Sequence, residues 1–388
     1  MMVLDKNDPN YRQCSLSVMD NISDPDITFD ENGICNYYYE YLENINAFKN
    51  FRDENGMSIE KLVDNIKVQS KGNRYDCVIG ISGGIDSAYL AIRAHEWGLN
   101  PLLVHFDNGW NSELSVVNIE KIKRYTNFDL YTYIVNWSDM RQIQKAYLES
   151  DVIDIEAITD LGYKVALDRV MNKFKINIVL DGQNIVSEGV LPKAWICKSQ
   201  DNLINILKRN FIKLNEIKSY PVYSLFDIYK KKYFKQIKTY SPLNLLDYNN
   251  NEAINFLISK IGFKPYEGKH FESIFTRFYQ GVILPEKFFV DKRKAHLSNL
   301  IFSNQITREK AKEILKESAY PESTYKSDFQ YVCKKLEMSE EDFRSYLSRP
   351  SRSHESYGLG KTIWESYPML SPFKPVNKIL KILLQAKK

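Results

Sequence analysis

Strand-like and helix-like segments alternate in the first half of the chain, and this alternation limits the possible fold more than any other feature. Apolar, β-rich runs predict buried strands at Tyr75–Ile81, Pro101–Phe106, Leu130–Val135 and Ile176–Leu180. Apolar residues at helical spacing predict helices at Asp86–Trp97, Ser112–Tyr125, Ser138–Glu149 and Glu156–Phe174. Because parallel strands need a crossover between them, this pattern indicates an α/β fold with a doubly wound parallel sheet.

The pattern changes on both sides of this region. We expect an N-terminal lobe (1–55), an α/β domain (56–204) and a mostly helical C-terminal region (205–388). Residues 1–50 show no regular period and are predicted to be irregular, whereas residues 58–69 favour a helix. Strand signals fade after about residue 205, and helices are predicted at Asn251–Ile261, Phe271–Gln280, Arg293–Phe302, Thr307–Lys316, Ser323–Leu336 and Ser339–Leu347.

One turn between a strand and a helix carries the clearest chemical signal, the segment Ser82-Gly-Gly-Ile-Asp-Ser87. Adjacent glycines let the backbone turn sharply and bring N–H groups near an anion, and the helix dipole favours phosphate at the same place. Phosphate would repel Asp86 unless a cation lay between them, so we expect Asp86 to be catalytic and to hold Mg²⁺. The residues predicted to bind ATP here are Gly80, Ser82, Gly83, Gly84, Asp86 and Ser87.

Polar residues also follow the second and fourth predicted strands. Asp107 comes directly after the second strand, and the segment Asp181–Asn184 follows the fourth. Ligands of open α/β sheets bind outside the carboxyl ends of the strands, so both segments are candidate contacts. We assign Phe106, Asp107 and Gly182 to the nucleotide, and Asn108, Asn111 and Asn184 to the substrate.

The loop lacks the Gly-Lys-Ser/Thr of a Walker A motif and resembles the PP-loop of the N-type ATP pyrophosphatases. Further segments resemble the N-acetyl sugar amidotransferase family, and they are 23–36, 107–113, 269–273, 277–280 and 291–298. The similarity keeps its order from Cys14 to Ile314. It implies a carbon–nitrogen ligase of bacterial surface-polysaccharide synthesis that uses ATP and Mg²⁺. Such an enzyme converts an acetamido group of a nucleotide-linked N-acetyl sugar to an acetamidino group through an O-adenylyl intermediate, releasing AMP and pyrophosphate.

The resemblance also supplies candidates for contacts with pyrophosphate and the sugar. In the basic segment 291–298, we expect Lys292 and Lys294 to be catalytic, and Arg293 and His296 to bind substrate. Residues three or four apart share one side of a helix, so the four cannot all face the same site. Further expected substrate contacts are Lys269, His270, Glu272 and Arg277.

The N-terminal lobe departs from the family pattern. Members of the family carry two Cys-x-x-Cys pairs, a four-thiolate zinc site, whereas this chain keeps only Cys14 and Cys35 and has Ser17 and Tyr38 at the partner positions. Two thiolates do not complete a tetrahedral site. Asp20 and Asp24 are conceivable extra ligands, but we expect a metal-free lobe held by aromatic packing.

Ammonia is expected to come from another protein. Residue 2 is Met, so removal of the initiator would expose no N-terminal cysteine nucleophile, and no Cys–His glutaminase context surrounds the other cysteines. The family resemblance implies a separate glutaminase subunit and a barrel-like partner that conducts ammonia.

Composition narrows the range of functions. The net charge is +4, from 53 basic and 49 acidic residues, which is too balanced to indicate a nucleic-acid partner. The chain contains no apolar run long enough to span a membrane and no signal-peptide pattern, so a cytoplasmic location is expected.

Two other functions stay open on the sequence. Another PP-loop enzyme, such as a tRNA-modifying thiolase or a lysidine-type synthetase, would need a basic RNA-binding surface or reactive cysteine pairs. A catalytically silent scaffold of a polysaccharide-synthesis complex would be compatible with the missing cysteines. The intact phosphate loop favours an enzyme over a scaffold.

Overall fold

The computed structural model describes residues 7–224, 227, 237–266, 268 and 271–359. Within these ranges, five strands form one sheet in the order β3-β2-β1-β4-β5, and every neighbouring pair is parallel. The strands are β1 Val78–Gly80, β2 Leu102–Asp107, β3 Leu130–Ile134, β4 Ile178–Leu180 and β5 Lys238–Tyr240. The expected α/β fold with a parallel sheet is confirmed.

Helices cover both faces of this sheet. Up to β5 they are α1 Asn36–Glu54, α2 Ile59–Ser70, α3 Ile85–Glu96, α4 Glu113–Thr126, α5 Trp137–Glu149, α6 Ala157–Phe174, α7 Ile185–Glu188 and α8 Gln200–Arg209. Val78 of β1 belongs to the same buried cluster as Val170 of α6, whereas the next residue, Ile79, clusters with Leu90 of α3. Successive residues of a strand point to opposite faces, so the sheet is wound on both sides.

Beyond β5 the described chain is mostly helical, as predicted. The helices are α9 Asn250–Ile261, α10 Ile274–Phe278, α11 Leu284–Phe288, α12 Arg293–Phe302, α13 Arg308–Ile314, α14 Glu322–Leu336 and α15 Glu340–Ser348, with a π-helical turn at Tyr279–Ile283. Phe278, Phe329 and Phe343 form an aromatic core whose ring centroids lie 5.8, 5.7 and 5.4 Å apart. None of the helices in the described ranges is long and apolar enough to cross a bilayer.

The N-terminal region differs from the irregular structure predicted for residues 1–50. Residues Asn36–Glu54 form α1, which buries Tyr37 and Tyr41 four residues apart on one side. The ring of Tyr41 lies 5.6 Å from that of Phe302 on α12. Tertiary aromatic packing therefore stabilises a helix that has little apolar periodicity of its own.

Strand β5 is the other difference from the prediction. It has three residues and pairs with β4 through Ile178–Lys238 and Leu180–Tyr240. So short a strand shows no measurable period in the sequence. It brings residues beyond 204 into the sheet, and the domain limits at 55 and 204 stay predictions.

Candidate active site

The turn between β1 and α3 depends on both of its glycines. Gly83 has φ +83°, and a Cβ on it would lie 2.7 Å from the carbonyl oxygen of Ser115. Gly84 is the N-cap of α3, and a Cβ there would lie 3.0 Å from Oε1 of Glu272. A side chain at either position would therefore force its neighbours to shift. Backbone geometry thus explains the paired glycines of the sequence.

The two serines of the turn bond within it. The Gly84 amide donates to Ser82 Oγ at 3.1 Å, and the Ser87 hydroxyl donates to the Gly84 carbonyl, also at 3.1 Å. These bonds shape the turn around the N-terminus of α3, where the helix dipole places partial positive charge. Ser82 is exposed, so a ligand can reach this turn from solvent. The geometry suits a phosphate group.

The phosphate loop, residues 82–87, lies at the point where the strand order reverses between β1 and β4. Gly182 follows β4, and a Cβ on it would lie 3.2 Å from the amide nitrogen of Ser87. The structure therefore brings Gly182 against the phosphate loop, where only hydrogen fits comfortably. This reversal point is the usual ligand-binding place in open α/β sheets.

A chain of polar contacts connects the end of β2 to the start of the loop. Nδ1 of His105 lies 2.8 Å from the carbonyl oxygen of Ile81, and Nε2 lies 3.0 Å from Nδ2 of Asn111. The amide of Asn111 also donates to Asp107 Oδ1 at 2.9 Å. Because an amide nitrogen only donates, Nε2 of His105 accepts and Nδ1 carries the proton. His105 was missed in the sequence, although it is the one polar residue within an otherwise apolar strand run.

Asp86 lies in the first turn of α3, and Tyr248 donates a hydrogen bond to its carboxylate. Burial, together with the charge of Asp86, raises the pKa of Tyr248 far above its ordinary value, so the phenol remains a donor. Within the described residues, no group of three or more His, Cys, Asp or Glu side chains forms a metal cage. Mg²⁺ is commonly held by one or two carboxylates together with substrate phosphates, and Asp86 fits that arrangement.

Besides Tyr248, the C-terminal region reaches the phosphate loop through two further side chains. Tyr266 donates to the Gly83 carbonyl at 2.8 Å, and Ser82 Oγ donates to Glu272 Oε1 at 3.3 Å. The backbone around Glu272 pairs with the loop after β2, because the Ser112 amide donates to the Glu272 carbonyl at 2.9 Å. Glu272, expected as a substrate contact, therefore lies on the phosphate loop. Tyr248 and Tyr266 could not be singled out among the 26 tyrosines of the sequence.

Three predicted ligand contacts have structural roles in this structure. Phe106 is buried and stacks on Tyr133, with 6.1 Å between the ring centroids. Asn108 accepts from the Trp110 amide at 3.1 Å and is buried. Asn184 is the N-cap of α7 and is also buried. Their side chains shape the loops after β2 and β4, and their expected contacts with a ligand stay predictions.

The basic candidates are paired inside the protein. Arg277 forms an ion pair with Asp328, and Arg293 with Asp291 at 2.8 Å. Lys294 is buried and forms an ion pair with Asp20, which is fully buried. Withdrawing Lys294 would leave a buried, unpaired carboxylate, and this argues against its expected role at pyrophosphate.

The other basic and polar candidates are placed differently. Lys292 precedes α12 and is half-buried. Burial raises the pKa values of Asp154 and Glu156, and the charge of Lys292 opposes that rise. His296 lies one turn further along α12 and is half-buried. Lys269 and His270 lie outside the described residues, so their expected contacts stay predictions.

A further carboxylate, not identified in the sequence, lies near Lys292. Thr276 Oγ1 donates to Glu156 Oε2 at 2.6 Å. Burial raises the pKa of Glu156 to about 7, against the hydrogen bond from Thr276 and the charge of Lys292, which lower it. Glu156 as a whole residue is half-buried, and its carboxyl group is the part surrounded by protein.

Cys14, Ser17 and Cys35 lie close together in the N-terminal lobe. They occupy three of the four positions at which the resembled family has zinc-binding cysteines. Cys14 Sγ accepts from the amides of Cys35 at 3.3 Å and Ser17 at 3.4 Å, and the Ser17 hydroxyl lies 3.9 Å from Cys35 Sγ. A hydrogen bond from the Cys35 thiol lowers the pKa of Cys14 below its ordinary value. Asp20 is bonded to Lys294, and Asp24 accepts from Tyr37 at 2.5 Å. The two carboxylates considered as extra ligands are thus engaged elsewhere.

Solved structures show distant similarity to this chain. The NMN synthetase of Francisella tularensis is 14% identical with a TM-score of 0.28, over 69% of this chain and 93% of that one. The NH3-dependent NAD synthetase of Campylobacter jejuni is 16% identical with a TM-score of 0.28, over 54% and 97%. The U34-tRNA thiolase NcsA of Methanococcus maripaludis is 11% identical with a TM-score of 0.29, over 67% and 80%.

A sequence family gives a more specific match. No curated protein matches the chain, but residues 272–370 match the family model described as LPS biosynthesis protein WbpG-like, C-terminal domain. The match begins at Glu272, which contacts Ser82 of the phosphate loop. The C-terminal part of this chain is therefore similar to the C-terminal domain of WbpG-like LPS biosynthesis proteins, in agreement with the resemblance to a surface-polysaccharide enzyme family noted in its sequence.

Proposed function

We propose that this protein is an ATP-dependent amidotransferase of surface-polysaccharide synthesis. It converts an acetamido group of a nucleotide-linked N-acetyl sugar to an acetamidino group and releases AMP and pyrophosphate. The contact between Ser82 and Glu272 is the single observation that carries this proposal. It joins a phosphate-binding turn at the strand-order reversal to the first residue of the WbpG-like domain.

The first step activates the amide, whose oxygen is otherwise a poor leaving group. The carbonyl oxygen of the acetamido group attacks the α-phosphorus of ATP, an O–P bond forms, and the bond to the β-phosphate breaks with its electron pair on pyrophosphate. Such a transfer depends on positioning and on stabilising charge. The N-terminus of α3 and the hydroxyls of Ser82 and Ser87 supply donors for the phosphates. Asp86 would hold Mg²⁺, which offsets phosphate charge when bound.

The second step replaces the adenylylated oxygen by nitrogen. Ammonia adds to the activated carbon, and AMP departs as the C–O bond breaks. We further propose that the ammonia reaches the site from a separate glutaminase subunit through a barrel-like partner, as the family resemblance implies. The protein is proposed to act in the cytoplasm, where ATP and nucleotide sugars are available.

Mass spectrometry of nucleotide sugars tests this proposal directly. The purified chain is incubated with ATP, Mg²⁺, ammonium and a mixture of UDP- and CMP-linked N-acetyl sugars. We expect one sugar nucleotide to show the mass change of oxygen replaced by NH, with AMP and pyrophosphate in equal amounts. Absence of pyrophosphate with every sugar would rule out the reaction. Pyrophosphate release dependent on tRNA would favour an RNA-modifying enzyme instead.

A further inference from the structure

Three segments meet beside the phosphate loop and enclose a carboxylate that the adenylation step does not use. Ser273, next to Glu272, pairs with Asn111 after β2, and one helical turn later Thr276 donates to Glu156 Oε2 at 2.6 Å. The turn that contains Glu156 is tied to the same loop, because Asn108 Nδ2 donates to Thr159 Oγ1 at 3.1 Å. Glu156 is thereby held next to the segment that brings Glu272 to the phosphates.

The side chain of Glu156 is not engaged in capping its helix. Glu156 is the N-cap residue of α6, but its side chain makes no capping hydrogen bond. It is directed instead to Thr276 of α10 and remains half-buried. The carboxylate therefore lies between the start of α6 and α10, on the side of α10 that leads to Glu272.

Charged and polar groups face Glu156 from every neighbouring segment. Lys292 lies before α12, Asp154 and Asp160 flank Glu156 in the chain, and Tyr279 follows α10. Burial has the largest effect on the Glu156 carboxyl group and raises its pKa to about 7. A general base works best when its pKa lies near the operating pH, because it is then ionised and still basic.

The neighbouring acidic side chains are engaged in other hydrogen bonds or ion pairs. Asp154 is buried, and its Oδ2 accepts from the Cys197 amide at 2.7 Å. Asp160 is exposed and forms an ion pair with Lys198 at 2.8 Å. Glu272 lies on the phosphate loop itself, where it accepts from Ser82. Of these four acids, Glu156 is therefore the one left for proton transfer beside the phosphate loop.

We propose that Glu156 is the general base of the amination step, an inference that rests on the proposed amidotransferase function. Ammonia adds through its lone pair to the carbon of the O-adenylyl imidate, and a C–N bond forms. The resulting NH3⁺ group gives one proton to the Glu156 carboxylate. The C–O bond then breaks, its electron pair leaves with AMP, and the amidinium product remains. Release of the proton from Glu156 to solvent restores the carboxylate for the next turnover.

The substitution Glu156→Gln separates this role from adenylation. Gln keeps the size of the side chain and an oxygen that can accept from Thr276. We expect the variant to keep wild-type ATP–pyrophosphate exchange with the sugar nucleotide and to lose amidine formation by about 100-fold or more. Asp160→Asn is the matched control, because it removes an adjacent, exposed carboxylate of the same helix. This control should change neither the rate of ATP–pyrophosphate exchange nor the rate of amidine formation.

The pH dependence of amidine formation supplies a second measurement. At a fixed concentration of neutral NH3, the wild-type rate should rise with pH through about 7, as Glu156 ionises. The hydrogen bond from Thr276 lowers the pKa of Glu156, so Thr276→Val should move this rise to higher pH while exchange is retained. This variant keeps the base in place and tests the assignment even if Glu156→Gln fails to fold.

The outcomes distinguish the two proposals. If the wild type shows neither exchange nor amidine with any sugar nucleotide, the proposed function fails, and the role of Glu156 fails with it. If the wild type forms amidine and Glu156→Gln does so at the same rate, only the assignment of Glu156 is overturned. The assignment is also overturned if a folded Glu156→Gln loses ATP–pyrophosphate exchange, since Glu156 would then act in adenylation.

Discussion

Gly83 has no room for a side chain and a backbone angle that side chains disfavour. Gly83→Ala should therefore lower stability through both effects and weaken ATP binding by reshaping the loop. The left-handed conformation alone costs an L-residue about 1–2 kcal/mol. Gly72→Ala is the matched control, because Gly72 has φ +86° with nothing within 4 Å of a Cβ. Urea unfolding should give a larger decrease in the free energy of unfolding for Gly83→Ala than for Gly72→Ala. Equal decreases would show that the contact with Ser115 does not destabilise the protein.

Asp86 is the carboxylate that the proposed mechanism requires for Mg²⁺. Asp86→Asn should reduce pyrophosphate release by about 100-fold or more, as loss of one preorganised charge-stabilising group does. The fold should persist, since Asn keeps an oxygen that accepts from Tyr248. Tyr248→Phe is the comparison, because it removes that hydrogen bond and leaves the carboxylate. Steady-state rates across a Mg²⁺ titration test the assignment, which a fully active Asp86→Asn would contradict.

The raised pKa of Glu156 also affects stability. The ordinary pKa of this group is 4.5 and its folded value is about 7, so the folded state holds the proton more tightly than the unfolded state. This contribution to stability is fully present below about 4.5 and is lost as the pH rises through about 7. The substitution Glu156→Gln removes this pH-dependent loss of stability, because Gln does not ionise. Its melting temperature relative to wild type should therefore increase between pH 5 and pH 8, and a constant difference would refute the shift.

Some residues of the candidate site can be predicted from the sequence, and others cannot. The turn at residues 82–87 was predicted between a strand and a helix and lies there, because its glycines and the flanking patterns carry a local signal. Tyr248, Tyr266 and Glu156 were missed, since each meets the site only through contacts between segments distant in the chain. Asn108 and Asn184 show why a loop amide is hard to assign, because it can shape the backbone or bind a ligand with the same local sequence.

Helix α12 is attached to the N-terminal lobe by a buried ion pair between Lys294 and Asp20. Lys294→Met should destabilise the protein by about 3–5 kcal/mol, because it leaves Asp20 charged and buried. The double variant Asp20→Asn/Lys294→Met should recover part of that loss. Lys292→Met provides a control at the neighbouring, half-buried lysine and should change stability much less. Thermal unfolding of the four proteins tests this, and a neutral Lys294→Met would show that the pair contributes nothing.

Several helices and their caps were predicted closely from local sequence signals, and elements defined by their neighbours were not. The prediction Arg293–Phe302 matches α12 at both ends, and Ser339 caps α15 as expected by accepting from the Asp342 amide. Strand β5 exists because β4 offers an open edge to Lys238–Tyr240. No local pattern in three residues reveals such pairing.

The whole molecule contains a proposed synthetase site but no glutaminase that its sequence reveals. We therefore expect the purified chain to form amidine with ammonium and not with glutamine. The effective nucleophile is neutral NH3, so at fixed total ammonium the rate should rise with pH. Parallel assays with ammonium chloride and with glutamine at equal concentration test this. Equal rates with glutamine would show that the chain hydrolyses glutamine itself.

The ion pair between Lys294 and Asp20 joins residues 274 positions apart. At the ribosome, where chains grow at about 5–20 residues per second, the partner of Asp20 follows it by tens of seconds. Throughout that interval the emerging N-terminal segment carries a carboxylate that cannot be buried favourably. The segment that contains Asp20 therefore leaves the exit tunnel long before it can form its native contact with α12.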